Sequence, residues 1–98
     1  MIRVVHVRKA PFTLYIGRAI AEFPESKWHN PYFAGRFGRF MSLRMYEDHV
    51  REKLWDSLWE LDDQILGCWC CPKECHGHVL RRLRQEQLDA LRGETVPS

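Results

Sequence analysis

The sequence predicts an α/β fold: a small three-stranded mixed sheet with two main helices in a single domain. Three observations predict it. Short runs rich in β-branched and aromatic residues occur at 2–8, 12–16 and 64–69, and such runs form strands. Apolar residues recur at spacings of three and four from Leu43 to Leu61, and Val79, Leu80, Leu83, Leu88 and Leu91 fall on one side of a second segment. That is the period of a helix with one buried face. A strand that follows a long helix fits a crossover unit, with the second and third strands parallel.

Residues 2–8 read IRVVHVR, the first strand, and Lys9-Ala10-Pro11 breaks it. Residues 12–16, FTLYI, form the second strand. The short Pro-containing connection predicts a hairpin, with a wider turn as the alternative. Residues 19–38 carry Pro24, Pro31, Gly35 and Gly38 and show no clean period. They read as a long loop with at most one helical turn, a kind of loop that often carries function. Ser42 is placed to cap a helix running to about Asp62. Leu43, Tyr46, Val50, Leu54, Leu58 and Leu61 make its buried stripe, widened by Trp55 and Trp59. The third strand, 64–69, is continuously apolar, which suits a strand covered on both faces. A last helix is predicted from about His78 to Leu91, stopped at Gly93, so that 1–93 form the domain and 94–98 a frayed tail.

The 98 residues make one domain, and composition is globular: 45% hydrophobic, 29% charged, 12% aromatic. A chain of this size buries roughly two-thirds of its unfolded surface, so a metal or a partner would add to a modest core. Net charge is only +2, which does not by itself argue for nucleic acid. The arginines are bunched, however: Arg36, Arg39 and Arg44, then Arg81, Arg82 and Arg84. A bunched basic face is either solvated or meets phosphate. No apolar run approaches the ~20 residues that span a bilayer, and no signal segment opens the chain. The expectation is a cytoplasmic protein without a membrane partner. In that compartment clustered cysteines are metal ligands or reactive thiols rather than disulfides.

All four cysteines lie in one stretch, LGCWCCPKECHGHVL at 66–80, followed at once by two histidines. Cys68 and Cys70 are two apart on a strand, so their side chains point the same way. Cys75 and His76 lie at a helix start, where backbone N–H groups favour a thiolate and lower its pKa. One reading is a zinc site built from Cys68, Cys70, Cys75 and either His76 or His78. An iron–sulfur cluster on the same thiolates is less favoured. A second reading makes Cys75 a nucleophile with His76 or His78 as its base. The plain alternative is small buried cysteines, with histidines satisfied by backbone.

A second constellation lies at Gly17-Arg18 and in SKWHNPYF at 26–33. Arg18 and Lys27 suit phosphate or carboxylate. Trp28 and Tyr32 suit stacking on a ring, and the Asn30 amide suits a polar ligand. Ligands of α/β sheets sit at the carboxyl ends of parallel strands. On the predicted topology Arg18 and the cysteine turn emerge at that one edge.

VVHVR and YIGR within 4–18, SKWHNPY at 26–32 and LGCWCCPKECHGHVL at 66–80 resemble domain-of-unknown-function family 4326, found in phages and bacteria. The resemblance covers most of the chain in the expected order. The family pattern usually reads K-W-G-N-P-F, then G-C-W-C, then P-x-x-C-H-G-D-x-L. His29 stands here where that glycine does, Tyr32 where the phenylalanine does, and His78 where an aspartate is usual. The resemblance implies a small phage-type protein. The functional expectation is a Cys/His metal-like site that binds a phosphate-bearing small molecule or nucleic acid. Two alternatives stand beside it: a Cys75-dependent enzyme acting on a nucleotide or modified base, and a non-catalytic factor that binds a host protein through tryptophan anchors.

Overall fold

The computed structural model describes residues 1–32, 34–69 and 75–93. Three strands form the sheet: β1 (Arg3–His6), β2 (Leu14–Tyr15) and β3 (Ile65–Cys68). Three α-helices accompany them: α1 (Ala34–Phe37), α2 (Arg39–Lys53) and α3 (His76–Gly93). A 3-10 helix, Trp55–Leu61, continues α2. The class is α/β, as the strand and helix periods imply.

The sheet is parallel throughout, not mixed. Its order is β1-β3-β2, with Arg3 opposite Ile65 on one edge and Leu14 opposite Leu66 on the other. β1 and β2 therefore never pair, and the expected hairpin is absent. The wider turn is what forms: Lys9 and Ala10 N–H groups both return to His6 O. The chain then crosses the face of β3. A Cβ built on Gly67 would lie 2.6 Å from the Phe12 ring, so the missing side chain leaves the space in which that ring sits. Glycine inside a strand commonly marks such a close approach. The apolar third strand takes the centre because Leu66, Gly67 and Cys68 are buried and its backbone is bonded on both edges.

The long helix begins four residues earlier than Ser42 would cap it, after Gly38 at φ 80°. It also does not stay α-helical. At three residues per turn a 3-10 helix stacks positions i and i+3. Leu58 and Leu61 are such a pair, and both are fully buried. Trp59 rotates out to 63% exposure, which removes it from the predicted stripe. α3 starts two residues earlier than expected, at His76. Val79, Leu80 and Leu83 are buried as predicted, whereas Leu91 in the last turn is exposed. Gly77 lets the first turn of α3 settle on the sheet, since a Cβ there would lie 2.9 Å from both Ile16 and Val4.

One core joins these layers: Ile2, Ile16, Trp28, Tyr46, Val50, Leu58, Leu61, Leu66, Cys68, Cys75, Val79, Leu80 and Leu83. Each large aliphatic side chain contributes about 1.5–3 kcal/mol on burial. The 19–38 stretch is a loop that holds only the four-residue α1 among its described residues, as the lack of a period implies. Among the described residues no helix is long and apolar enough to cross a membrane.

Candidate functional site

β2 and β3 end side by side. Past them the chain presents Ile16-Gly17-Arg18 on one side and Trp69 on the other, with the start of α3 above. A hydrogen bond ties the two expected constellations together: His76 Nε2 lies 2.7 Å from Ile16 O. A carbonyl only accepts, so Nε2 carries the proton and Nδ1 the lone pair. Burial lowers the His76 pKa to about 4, against the opposing pull of the Ile16 carbonyl. The ring is therefore neutral near pH 7. The Arg18 guanidinium pushes in the same direction as burial.

Cys75 precedes α3, and its carbonyl accepts from His78 N and Val79 N. Backbone N–H groups of Gly77 and His78 point at its sulfur. In return, His78 Nδ1 accepts from Cys75 N at 3.2 Å. This is the reciprocal arrangement of a capping box, built from cysteine and histidine instead of serine and glutamate. It also gives His78 a role that an aspartate at the same place would fill by the same geometry.

The sulfurs of Cys68 and Cys75 lie 3.1 Å apart, both buried, as a pair of thiols and not a disulfide. The thiol of Cys75 is pushed up, first by its hydrogen bond with Cys68 and then by burial; the helix N–H groups pull the other way and lose. This reverses the direction expected from the helix start alone, because burying a second thiol against the first makes the anion more costly than the dipole offsets. Cys75 is also only 1% exposed. The structure thus gives a neutral, enclosed thiol instead of an activated nucleophile.

A cavity of about 370 Å³ opens at this edge, lined by Tyr15, Arg18, Asn30, Tyr32, Trp69 and His76, with Ser42 at its side. The walls are held in place. Trp69 Nε1 donates to Tyr15 Oη at 3.0 Å, and Tyr15 Oη donates to Arg18 O at 2.7 Å. Tyr15 stacks on Phe23 with centroids 4.7 Å apart. Across the cavity, Arg18 Nε and Nη2 both donate to Asn30 O, at 3.2 and 3.0 Å. Asn30 Oδ1 accepts from Tyr32 N at 2.9 Å, and its Nδ2 donates to Ser42 Oγ at 2.8 Å. Ser42 Oγ donates onward to Tyr32 O.

The structure separates the loop residues that the sequence groups together. Arg18 and Asn30 line the cavity, but Asn30 spends its amide oxygen on the loop backbone at Tyr32 and its amide nitrogen on Ser42 of α2. Trp28 is not a stacking face: it is 2% exposed and packed in the core, and Tyr46 Oη donates to its carbonyl at 2.7 Å. Lys27 points away into an ion pair with Glu60 at 2.7 Å. Tyr15 and Trp69 are the cavity walls that the sequence reading passed over. The signal was positional: each closes a strand on the parallel edge, immediately before the Gly17-Arg18 turn or after Cys68. Ser42, read as a helix cap, is instead a buried hub between the loop and α2. Of the five expected metal ligands, Cys70 lies outside the described residues. Cys68 and Cys75 converge, while His76 spends Nε2 on Ile16 and His78 spends Nδ1 on Cys75. Among the described residues no three His, Cys, Asp or Glu side chains form a group able to hold a metal ion.

Fold and site together define a small α/β protein with a ring-lined cleft at the carboxyl edge of a parallel sheet. Residues 2–86 match the family described as Domain of unknown function (DUF4326). The chain belongs to that family. Comparison with curated proteins and with solved structures found no match to it.

Proposed function

We propose that the protein binds a small, phosphate-bearing ring compound, of mononucleotide type, in the cleft between Gly17-Arg18 and the start of α3. One observation carries this reading: three aromatic walls, Tyr15, Tyr32 and Trp69, enclose about 370 Å³ beside a guanidinium and a helix start. That volume lies in the usual range for small-ligand clefts. Rings favour a planar base. The Arg18 charge favours an anion. The neutral His76 offers a lone pair at Nδ1 for a polar edge. On this reading the protein acts in the cytoplasm, of a bacterial host if a phage encodes it.

Calorimetric titration with the four common ribonucleoside monophosphates, the matching free nucleosides and inorganic phosphate tests this. At least one monophosphate is expected to bind with Kd below about 1 mM, tighter than its nucleoside and than phosphate alone. Trp69→Ala should weaken that binding about tenfold, with little change in fold because Trp69 is partly exposed. Failure of all four monophosphates to bind sinks the reading.

A second reading has a specific observation behind it: the Cys68 and Cys75 sulfurs sit 3.1 Å apart in a buried setting. We propose that zinc, with Cys70 as a further thiolate ligand, is the alternative occupant of this turn; His76 Nδ1 or His78 would complete it. Elemental analysis of untagged protein decides. Less than about a tenth of an equivalent of zinc or iron per chain removes this reading.

A further inference from the structure

We infer that the exposed face of α1 and α2 is a docking surface for single-stranded nucleic acid, separate from the small-ligand cleft. From Ser26 to Tyr46 the sequence holds no aspartate or glutamate, yet it carries Arg36, Arg39 and Arg44. Apolar side chains are left out on the same stretch: Phe40 is 75% exposed, Met41 45% and Phe37 38%. The Arg36 guanidinium lies 5.4 Å from the centre of the Phe37 ring. Beside them a groove of about 450 Å³ runs between α2 and α3, with Leu43 and Val79 beneath, Phe40 as a wall, and Arg39, Arg44 and Arg82 around it. Glu47 is the acid in this groove, and it is already engaged by Arg51 and Arg82.

Charge complementarity selects an anionic occupant. The arrangement of the rings selects which one. A helix that lies on a membrane segregates an apolar face from a cationic face. The apolar face of α2 is spent on the core through Tyr46 and Val50, and its exposed face interleaves rings with arginines. Interleaving is what a single strand requires, because bases stack on rings while phosphates meet guanidinium groups alternately along the chain. An acidic peptide would use the arginines and leave the phenylalanines without a purpose. The groove beside Phe40 has a volume of about 450 Å³ and is lined by Arg44 as well, which suits a base flanked by its phosphate.

Fluorescence anisotropy with labelled oligo-dT and oligo-U of about 12 nucleotides tests this on the full chain. Saturable binding of either strand is expected. A protein that neutralises about three phosphates should lose on the order of tenfold in affinity between about 50 and 200 mM salt. The double variant Arg36→Glu, Arg44→Glu should bind at least about tenfold more weakly. Phe40→Ala should weaken binding about fivefold or more and leave the salt slope unchanged. All three positions are exposed, and circular dichroism matching the parent shows that the fold persists. Three outcomes overturn the inference: no saturable binding of either strand, equal binding by the double variant, or binding to anionic phosphatidylserine vesicles without binding to either oligonucleotide.

Discussion

His76 shows how one side chain can hold a site and set its pH range. Its Nε2 proton goes to the Ile16 carbonyl, and burial lowers its pKa to about 4 from 6.5. Between those values the unfolded chain binds a proton at this residue and the folded chain does not. Stability therefore rises with pH through that window, is fully present above pH 6.5, and is lost as pH falls toward 4. The loss is on the order of 3 kcal/mol. Urea unfolding between pH 7 and pH 4.5 should show this slope, and His76→Gln should flatten it. An unchanged slope in the variant would mean that His76 does not carry the effect. His78 acts by a different means, as the acceptor that closes the first turn of α3 onto Cys75, a geometry in which histidine and aspartate are equivalent acceptors.

At the scale of elements, the crossing of β3 by the β1–β2 connection decides the topology. That crossing requires a flat place on the central strand. Gly67→Ala would put a Cβ 2.6 Å from the Phe12 ring, and overpacking of this kind costs about 1–3 kcal/mol. Replacing Phe12 by alanine in the same chain should recover part of that loss, because the clash partner is gone. A double-mutant cycle by chemical denaturation measures it; strictly additive losses would mean that the ring and the glycine are not coupled. The clamp between α2 and α3 is different in kind. Arg51 bridges Glu47 and Glu86, and Arg82 also pairs with Glu47. These groups are partly exposed to solvent, so each pair is worth about 0–1 kcal/mol, and their removal should register less than the Gly67 change.

Over the whole molecule, a domain of this size holds about 5–15 kcal/mol against unfolding. Its thiol pair sits inside that margin. Cys75 is 1% exposed and its anion is disfavoured, so an alkylating reagent reaches it only when the domain opens. Iodoacetamide labelling of native protein at pH 7, mapped peptide by peptide, should modify Cys75 at least about a hundredfold more slowly than in denaturant. Labelling of native protein at the rate of an unstructured thiol would restore the nucleophile reading. Slow labelling that becomes fast with a chelator, at a pH and temperature where the fold persists, would favour the zinc reading instead.

Periodicity alone determined the helices, the long loop and the apolar third strand, because each depends on spacing along the chain. Residue type alone drew attention to Arg18, Asn30 and the cysteine turn. The parallel pairing of β2 with β3 was legible from the helix between them, but the place of β1 was not: a parallel strand and a hairpin strand share the same alternation, and only the Phe12–Gly67 crossing separates them. Nor was the fate of SKWHNPY legible, since burial of Trp28 and the Lys27–Glu60 pairing depend on residues distant in sequence. Tertiary packing likewise decided that the Cys75 thiol is raised, because the sulfur that opposes the helix start comes from β3. Spacing records what is near in the chain. Desolvation and partner choice are set by what folding brings near in space.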